Sequence, residues 1–334
     1  EALVATLTWK VLLVAPDTPI RDLSKSKKAN RGDRVFNTTI TGAAFTSLAV
    51  LAGITFFLGA KAVPVVQDQG IGFLTTTIWD TTGVPPEYGI AGMLYGSVLI
   101  AFIALFIAVP VSVFLAVFIV FMAPVRVSKL LTNLVDLMAA IPSVIIGLWA
   151  FYILVPPAEG WQDLLNQYLG WLPLFHNDSG NFTGTPFVAG VVLAIMMIPI
   201  VTSVTVEVLK RTPPELINAA ESLGCSMWTM LRYVALPFGR GGIIGGIMLG
   251  LGRAFGETIA VFFVLKLVYD INFFNIIESG GGSVATLIVS KFGETSGDFE
   301  VDVLLAAGFF LFLMTLVVNA FANLIVQRTE RLTG

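Results

Sequence analysis

The stretch Thr212-Pro-Pro-Glu-Leu-Ile-Asn-Ala-Ala-Glu-Ser-Leu-Gly224-Cys-Ser-Met-Trp-Thr-Met-Leu-Arg-Tyr-Val-Ala-Leu-Pro237 separates two long apolar runs. Thr212 can cap a helix, Pro213 suits a first helical position, and Glu215 complements the helix dipole. Leu216–Leu223 then reads as a short helix stopped by Gly224. A second short helical pattern, Met227–Val234, is expected to end at Leu236-Pro237. The order is helix, glycine turn, helix, proline. The small pair Ala219-Ala220 would let another protein surface approach closely.

Outward from this loop the chain is apolar. Of its 334 residues only 12% are charged, against roughly 25% in an ordinary soluble domain. Hydrophobic residues make up 56% and the mean hydropathy is +0.88. So little charge cannot cover a soluble globule of this size, which excludes a soluble enzyme. Six apolar runs, residues 36–60, 90–122, 136–155, 187–208, 243–268 and 303–326, approach or exceed the roughly 20 residues a membrane helix needs. The second is overlong for one simple span and contains Pro110, which is expected to kink it. Unbroken runs exclude an outer-membrane barrel, whose strands alternate residue by residue. The expected fold class is an all-α integral membrane protein with six transmembrane helices.

The inventory for covalent or metal chemistry is small. Cys225 is the one cysteine and His176 the one histidine, so neither a disulfide nor a His/Cys metal cluster can be built within the chain. A pI near 5.3 with net charge −3 argues against a nucleic-acid partner.

Basic residues set the orientation. Fifteen of the 19 Lys and Arg residues fall before the first span, between spans two and three, between four and five, or after the sixth. Residues 156–186 contain none. By the positive-inside bias both termini are cytoplasmic, which an even number of spans allows. Ala2–Ala15 is moderately apolar but short, broken by Lys10 and closed by Pro16 and Pro19. It is expected to lie at the interface or in the cytoplasm, followed by a basic linker, Ser24–Arg34, near anionic lipid. The expected layout is a cytoplasmic segment 1–35, a first span 36–60, a five-helix core 90–326 with its cytoplasmic loop 209–240, and a tail 327–334.

With these elements placed, the 212–237 loop resembles the EAA loop of ABC-importer permeases: Glu-Ala-Ala, three residues, Gly, nine residues, an aliphatic, one residue, Leu-Pro. Here Asn218-Ala219-Ala220, Gly224, Val234, Leu236 and Pro237 keep every interval, with Asn218 where the family usually has Glu. The resemblance implies a type I importer permease fold. It also implies that Glu215, Asn218, Ala219, Ala220, Gly224 and Pro237 belong to a coupling helix seated on a separate ATPase. A short rigid helix joined stiffly to two spans turns ATPase closure into helix movement.

Span five holds two charges, Arg253 and Glu257, in Gly252-Arg-Ala-Phe-Gly-Glu-Thr258. Charges in a membrane span are functional by default, at about 2.5–3.5 kcal/mol each on insertion scales. Four residues apart, they are expected on one helix face, each partly neutralising the other, with Gly256 removing bulk between them. A guanidinium matches a tetrahedral oxyanion with two parallel hydrogen bonds. The functional expectation is a transient anion site in which Glu257 competes for Arg253 and Thr258 offers a hydroxyl. The alternative is a buried pair that only fixes packing. Gly242, Gly246 and Gly250 recur every four residues, a small-residue face for close helix packing.

Arg253-Ala-Phe-Gly-Glu-Thr-Ile-Ala-Val261 closely resembles a motif of phosphate-specific transport permeases. Asp136–Trp149 and Ile198–Ser203 are similar to further segments of that group. Two homologous permeases pair in that system; Trp149 and Ile259-Ala-Val261 set this chain apart from the PstA-like branch. The resemblance implies phosphate as cargo and Arg253 and Glu257 on its path. It implies a PstA-like permease subunit, a PstB-like ATPase dimer using ATP and Mg, and a PstS-like phosphate-binding protein as partners. It places the chain in a bacterial or archaeal cell membrane. The chain has no Gly-x-x-x-x-Gly-Lys-Ser/Thr loop, so it is not expected to be an enzyme or to hold a cofactor of its own. The rivals are a permease for another oxyanion and an ion-coupled secondary phosphate transporter.

Overall fold

The computed structural model describes residues 31–331 apart from 272, 274 and 296. The Ala2–Ala15 segment and most of the basic linker after it lie outside the described residues. The chain divides into residues 1–56 and 57–334. In the first unit, residues 31–56 are the opening length of helix α1 (Arg31–Gln69), where Phe36, Phe45 and Phe56 are exposed apolar side chains. Apolar exposure along a helix this long suits a lipid solvent and no aqueous one.

The second unit holds the other five spans. A short helix α2 (Gly72–Thr75) and a two-residue antiparallel ribbon, β1 (Trp79–Asp80) with β2 (Glu87–Tyr88), precede α3 (Ala91–Val117). Then follow α4 (Val125–Ala139), α5 (Ser143–Trp149), α6 (Val155–Leu169), α7 (Pro186–Lys210), α8 (Pro214–Ser222), α9 (Met227–Met230), α10 (Leu236–Gly256), α11 (Ile259–Val264), α12 (Val284–Phe292) and α13 (Asp298–Arg331). Among the described residues, six helices or joined helices are long and apolar enough to cross a membrane: 32–69, 91–122, 143–169, 186–210, 227–256 and 298–321.

Both limits of the third span differ from the sequence expectation. The third span begins at Ser143, since Pro142 excludes Ile141 from helical backbone and ends α4. Asp136 therefore lies on the amphipathic helix α4, where it accepts a hydrogen bond from Ser203 (3.2 Å). The same span runs on to Leu169, well past the expected end at residue 155.

Prolines explain the wide helical turns. Five-residue π turns occur at Phe118–Met122, Ala150–Leu154 and Leu231–Ala235, and each ends two residues before a proline: Pro124, Pro156 and Pro237. A proline ring collides with the carbonyl four residues back. Those carbonyls belong to Val120, Tyr152 and Tyr233, all inside the widened turns, which displaces them. Pro237 thus does not end the second loop helix, as expected from sequence. It is absorbed, and α9 runs through into α10.

The core lies where α7 packs between α3 and α10. Ala101, Ala104 and Ala108 of α3 are fully buried there with Val188, Val192 and Met197 of α7 and Ala254 and Phe255 of α10. A second cluster, with Phe73, Tyr88, Ile90 and Met93, packs against Val303, Leu304 and Ala307 of α13. Lys61 pairs with Asp302 at 2.8 Å beside it.

Candidate functional site

The three spaced glycines of α10 stand against α7. A methyl group on Gly242 would collide with Val208; on Gly246 it would stand 3.0 Å from Val204 Cβ, and on Gly250 2.9 Å from Val201 Cγ2. The missing side chains let the two backbones approach, and they fix the rotation of α10 about its axis. Gly252, by contrast, has open space where a side chain would be. Arg253 is the next residue along the helix.

Arg253 lines an open groove of about 640 Å³ with Ile200, Met248, Leu249, Gly252 and Asn319. Its Nε is buried and has no hydrogen-bond partner. Asn319, on α13, contributes a buried amide oxygen that is likewise without a partner. Asn319 was not singled out in the sequence, because one Asn in an apolar span carries no spacing signal. Only the packing of α13 against α10 brings it to the arginine's groove.

Glu257 is elsewhere. The helix ends at Gly256 and Glu257 is extended (φ −76°, ψ 119°) before α11 begins. Its Oε1 accepts a long hydrogen bond from the Ala260 N–H (3.4 Å), and Thr258 Oγ1 donates back to the Gly256 carbonyl (3.3 Å). Glu257 lines a small separate cavity of about 10 Å³ with Ser97, Leu193, Phe255 and Ser283. That is the limit for one water. The expected one-turn pair is therefore corrected: no ion pair joins Arg253 and Glu257 among the described residues, since the helix that would align them stops between them.

The loop between spans four and five is a built surface. Pro213, and not Thr212, stands at the N-cap of α8; the Thr212 hydroxyl is buried without a partner. The turn after α8 is closed by Gly224 N–H to the Glu221 carbonyl (2.9 Å) and Cys225 N–H to the Ala220 carbonyl (3.1 Å), with Gly224 at φ +72°. A side chain there would be strained, which accounts for glycine. Ser226 then caps α9 through the Thr229 N–H (3.3 Å).

The alanine pair is split. Ala220 packs inward with Met230, Leu231 and Ala235 on Val117, Val135 and Leu209, whereas Ala219, Asn218 and Glu215 are exposed. Leu223 is 83% exposed and Trp228 60% exposed on the same loop. Both are large apolar side chains, and Glu215 and Asn218 are exposed polar neighbours on the same loop.

A further cavity of about 230 Å³ is lined by Trp79, Tyr88, Tyr269, Lys291, Glu294 and Glu300 among others. The Trp79 and Tyr269 rings stack at 6.0 Å. Lys291 Nζ lies 2.7 Å from Glu294, and that hydrogen bond holds its ammonium pKa above the ordinary lysine value.

Residues 108–331 match the family model described as binding-protein-dependent transport system inner membrane component. The chain belongs to that family of permeases. Among curated proteins the permease is 38% identical over 302 residues to "Phosphate transport system permease protein PstC 2" of Mycobacterium tuberculosis, covering 90% of this chain and 93% of that one. It is 40% identical over 298 residues to "Phosphate transport system permease protein PstC" of Mycobacterium leprae, covering 88% and 93%. Among solved structures it resembles a bacterial ABC transporter involved in import of the acidic polysaccharide alginate (TM-score 0.53, 17% identity, covering 88% of this chain and 99% of that one). That likeness concerns the fold. The type I importer fold and the PstC side of the branch set by Trp149 and Ile259–Val261 are both borne out. The permease is a multi-pass membrane protein and not an enzyme.

Proposed function

We infer that this permease carries inorganic phosphate across the membrane as one transmembrane subunit of an ATP-driven importer. The observation that carries the cargo is the likeness, over about nine-tenths of the chain, to proteins named as phosphate transport permeases. The groove around Arg253 supports it. A guanidinium with an unmet N–H, set among apolar walls, offers a tetrahedral anion a charge-assisted hydrogen bond.

A homologous PstA-like subunit completes the passage along that groove. A PstB-like ATPase dimer, which uses ATP and Mg, grips the exposed face of α8, with Glu215, Asn218 and Ala219 at the contact. A PstS-like protein delivers phosphate to the outer loops. Both termini lie in the cytoplasm, and lipid covers the apolar outer faces. Glu257 sits at the break between α10 and α11 and accepts the Ala260 N–H there.

Reconstitution of the permease with its partner subunits and binding protein in liposomes tests this. Uptake of labelled phosphate is expected only with ATP. Uptake driven by an ion gradient alone would support a secondary transporter. Sulfate uptake in preference to phosphate would assign another oxyanion.

A further inference from the structure

We propose that Asn319 reads the protonation state of the anion at Arg253: its amide oxygen accepts the hydrogen bond of a P–OH group while the guanidinium donates to the anionic oxygens. This rests on the groove being the phosphate path. Two observations carry it. Arg253 Nε and Asn319 Oδ1 are both buried and both unpartnered, although buried polar groups are nearly always paired. They also line one groove, whose other walls (Ile200, Met248, Leu249 and Gly252) bring no polar side chain.

The two atoms are of opposite kind. Nε–H can only donate, and Oδ1 can only accept. A ligand that meets both must offer an acceptor and a donor. Inorganic phosphate keeps at least one proton near neutral pH, so its anionic oxygens suit Arg253 and its hydroxyl suits Asn319. Arsenate is alike. Sulfate carries no proton there, so an oxygen would face an oxygen and Oδ1 would stay unpaired. Sites that hydrogen-bond a substrate group reject the analogue lacking it far better than they reject a change in size. A neutral amide accepts that bond without the repulsion a carboxylate would bring to an anion. Asn319 is thus a specificity-determining residue of the groove.

The test uses the complete transporter in detergent, without the binding protein, after Cys225→Ser and Leu249→Cys place one thiol on the groove wall. The concentrations of phosphate, arsenate and sulfate that halve thiol labelling are measured. With Asn319 present, phosphate and arsenate are expected to protect at about tenfold lower concentration than sulfate. Asn319→Leu should raise the phosphate and arsenate values together and close most of that gap, leaving sulfate nearly unmoved. Asn319→Asp keeps an acceptor and should keep the preference while weakening all three anions; it carries the test should the leucine variant fail to assemble. An unchanged preference in Asn319→Leu overturns the proposal, as does equal weakening of all three anions by that variant, which would mark a structural role. Loss of the preference in Asn319→Asp also overturns it. Absence of any phosphate protection with Asn319 in place removes the groove itself as the path, an outcome recognisable because it precedes any change at 319.

Discussion

Arg253 and Glu257 stand four residues apart in the sequence and face different cavities, because α10 ends at Gly256 and Glu257 is extended. An intramembrane Arg and Glu one turn apart would ordinarily be taken as a neutralising pair. Here the carboxylate stabilises the start of α11 and the guanidinium is left to the groove.

The charge exchange Arg253→Glu with Glu257→Arg is therefore expected to transport no better than Arg253→Glu alone. A coupling energy below about 0.5 kcal/mol in the double-mutant cycle of phosphate uptake fits independent sites. Recovery of uptake in the exchanged protein would show that the two act as a pair.

Arg253→Lys should leave the permease assembled with its partners and lower uptake by at least about tenfold, since a point charge cannot reproduce the planar fork. Co-purification from mild detergent checks assembly, and labelled phosphate uptake checks function. Near-normal uptake with lysine would contradict a forked contact.

Gly242→Ala places a methyl group into Val208 and is expected to destabilise the permease by about 1–3 kcal/mol, as overpacking does. Val208→Ala should restore part of the loss. Gly252→Ala, which meets open space, should cost nothing measurable. Thermal unfolding in detergent ranks the three; equal behaviour of Gly242→Ala and Gly252→Ala would refute the close seam.

Ala219 and Ala220 should separate coupling from stability. Ala220→Leu overpacks the cluster with Met230 and Leu231 and lowers the melting temperature. Ala219→Leu, on the exposed face, leaves stability within about 0.5 kcal/mol and lowers the ATPase activity of the purified complex. A melting loss at 219 with normal ATPase activity would reverse the assignment of the two faces.

Much of this was legible in the sequence, and the reasons are particular. Charge scarcity and run length gave the spans, and Gly224 gave the turn because a positive φ favours glycine. Pro142 already implied a break, through the limit it puts on Ile141; the apolar run around it hid that signal. Pro237 looked terminal because a helix that widens by one residue leaves no mark in composition. The break at Gly256 has no proline to announce it, so a four-residue spacing was taken for a shared face. Asn319 became visible only when α13 came to lie beside α10.

The most direct test of the central claim asks whether phosphate reaches the wall beside Arg253. In the assembled transporter carrying Cys225→Ser and Leu249→Cys, a water-soluble thiol reagent is expected to label residue 249, and phosphate to slow the labelling. Adding Arg253→Lys should abolish that protection while leaving the thiol reactive. A thiol inert in every nucleotide state, or labelling that phosphate slows equally with lysine at 253, would contradict the account.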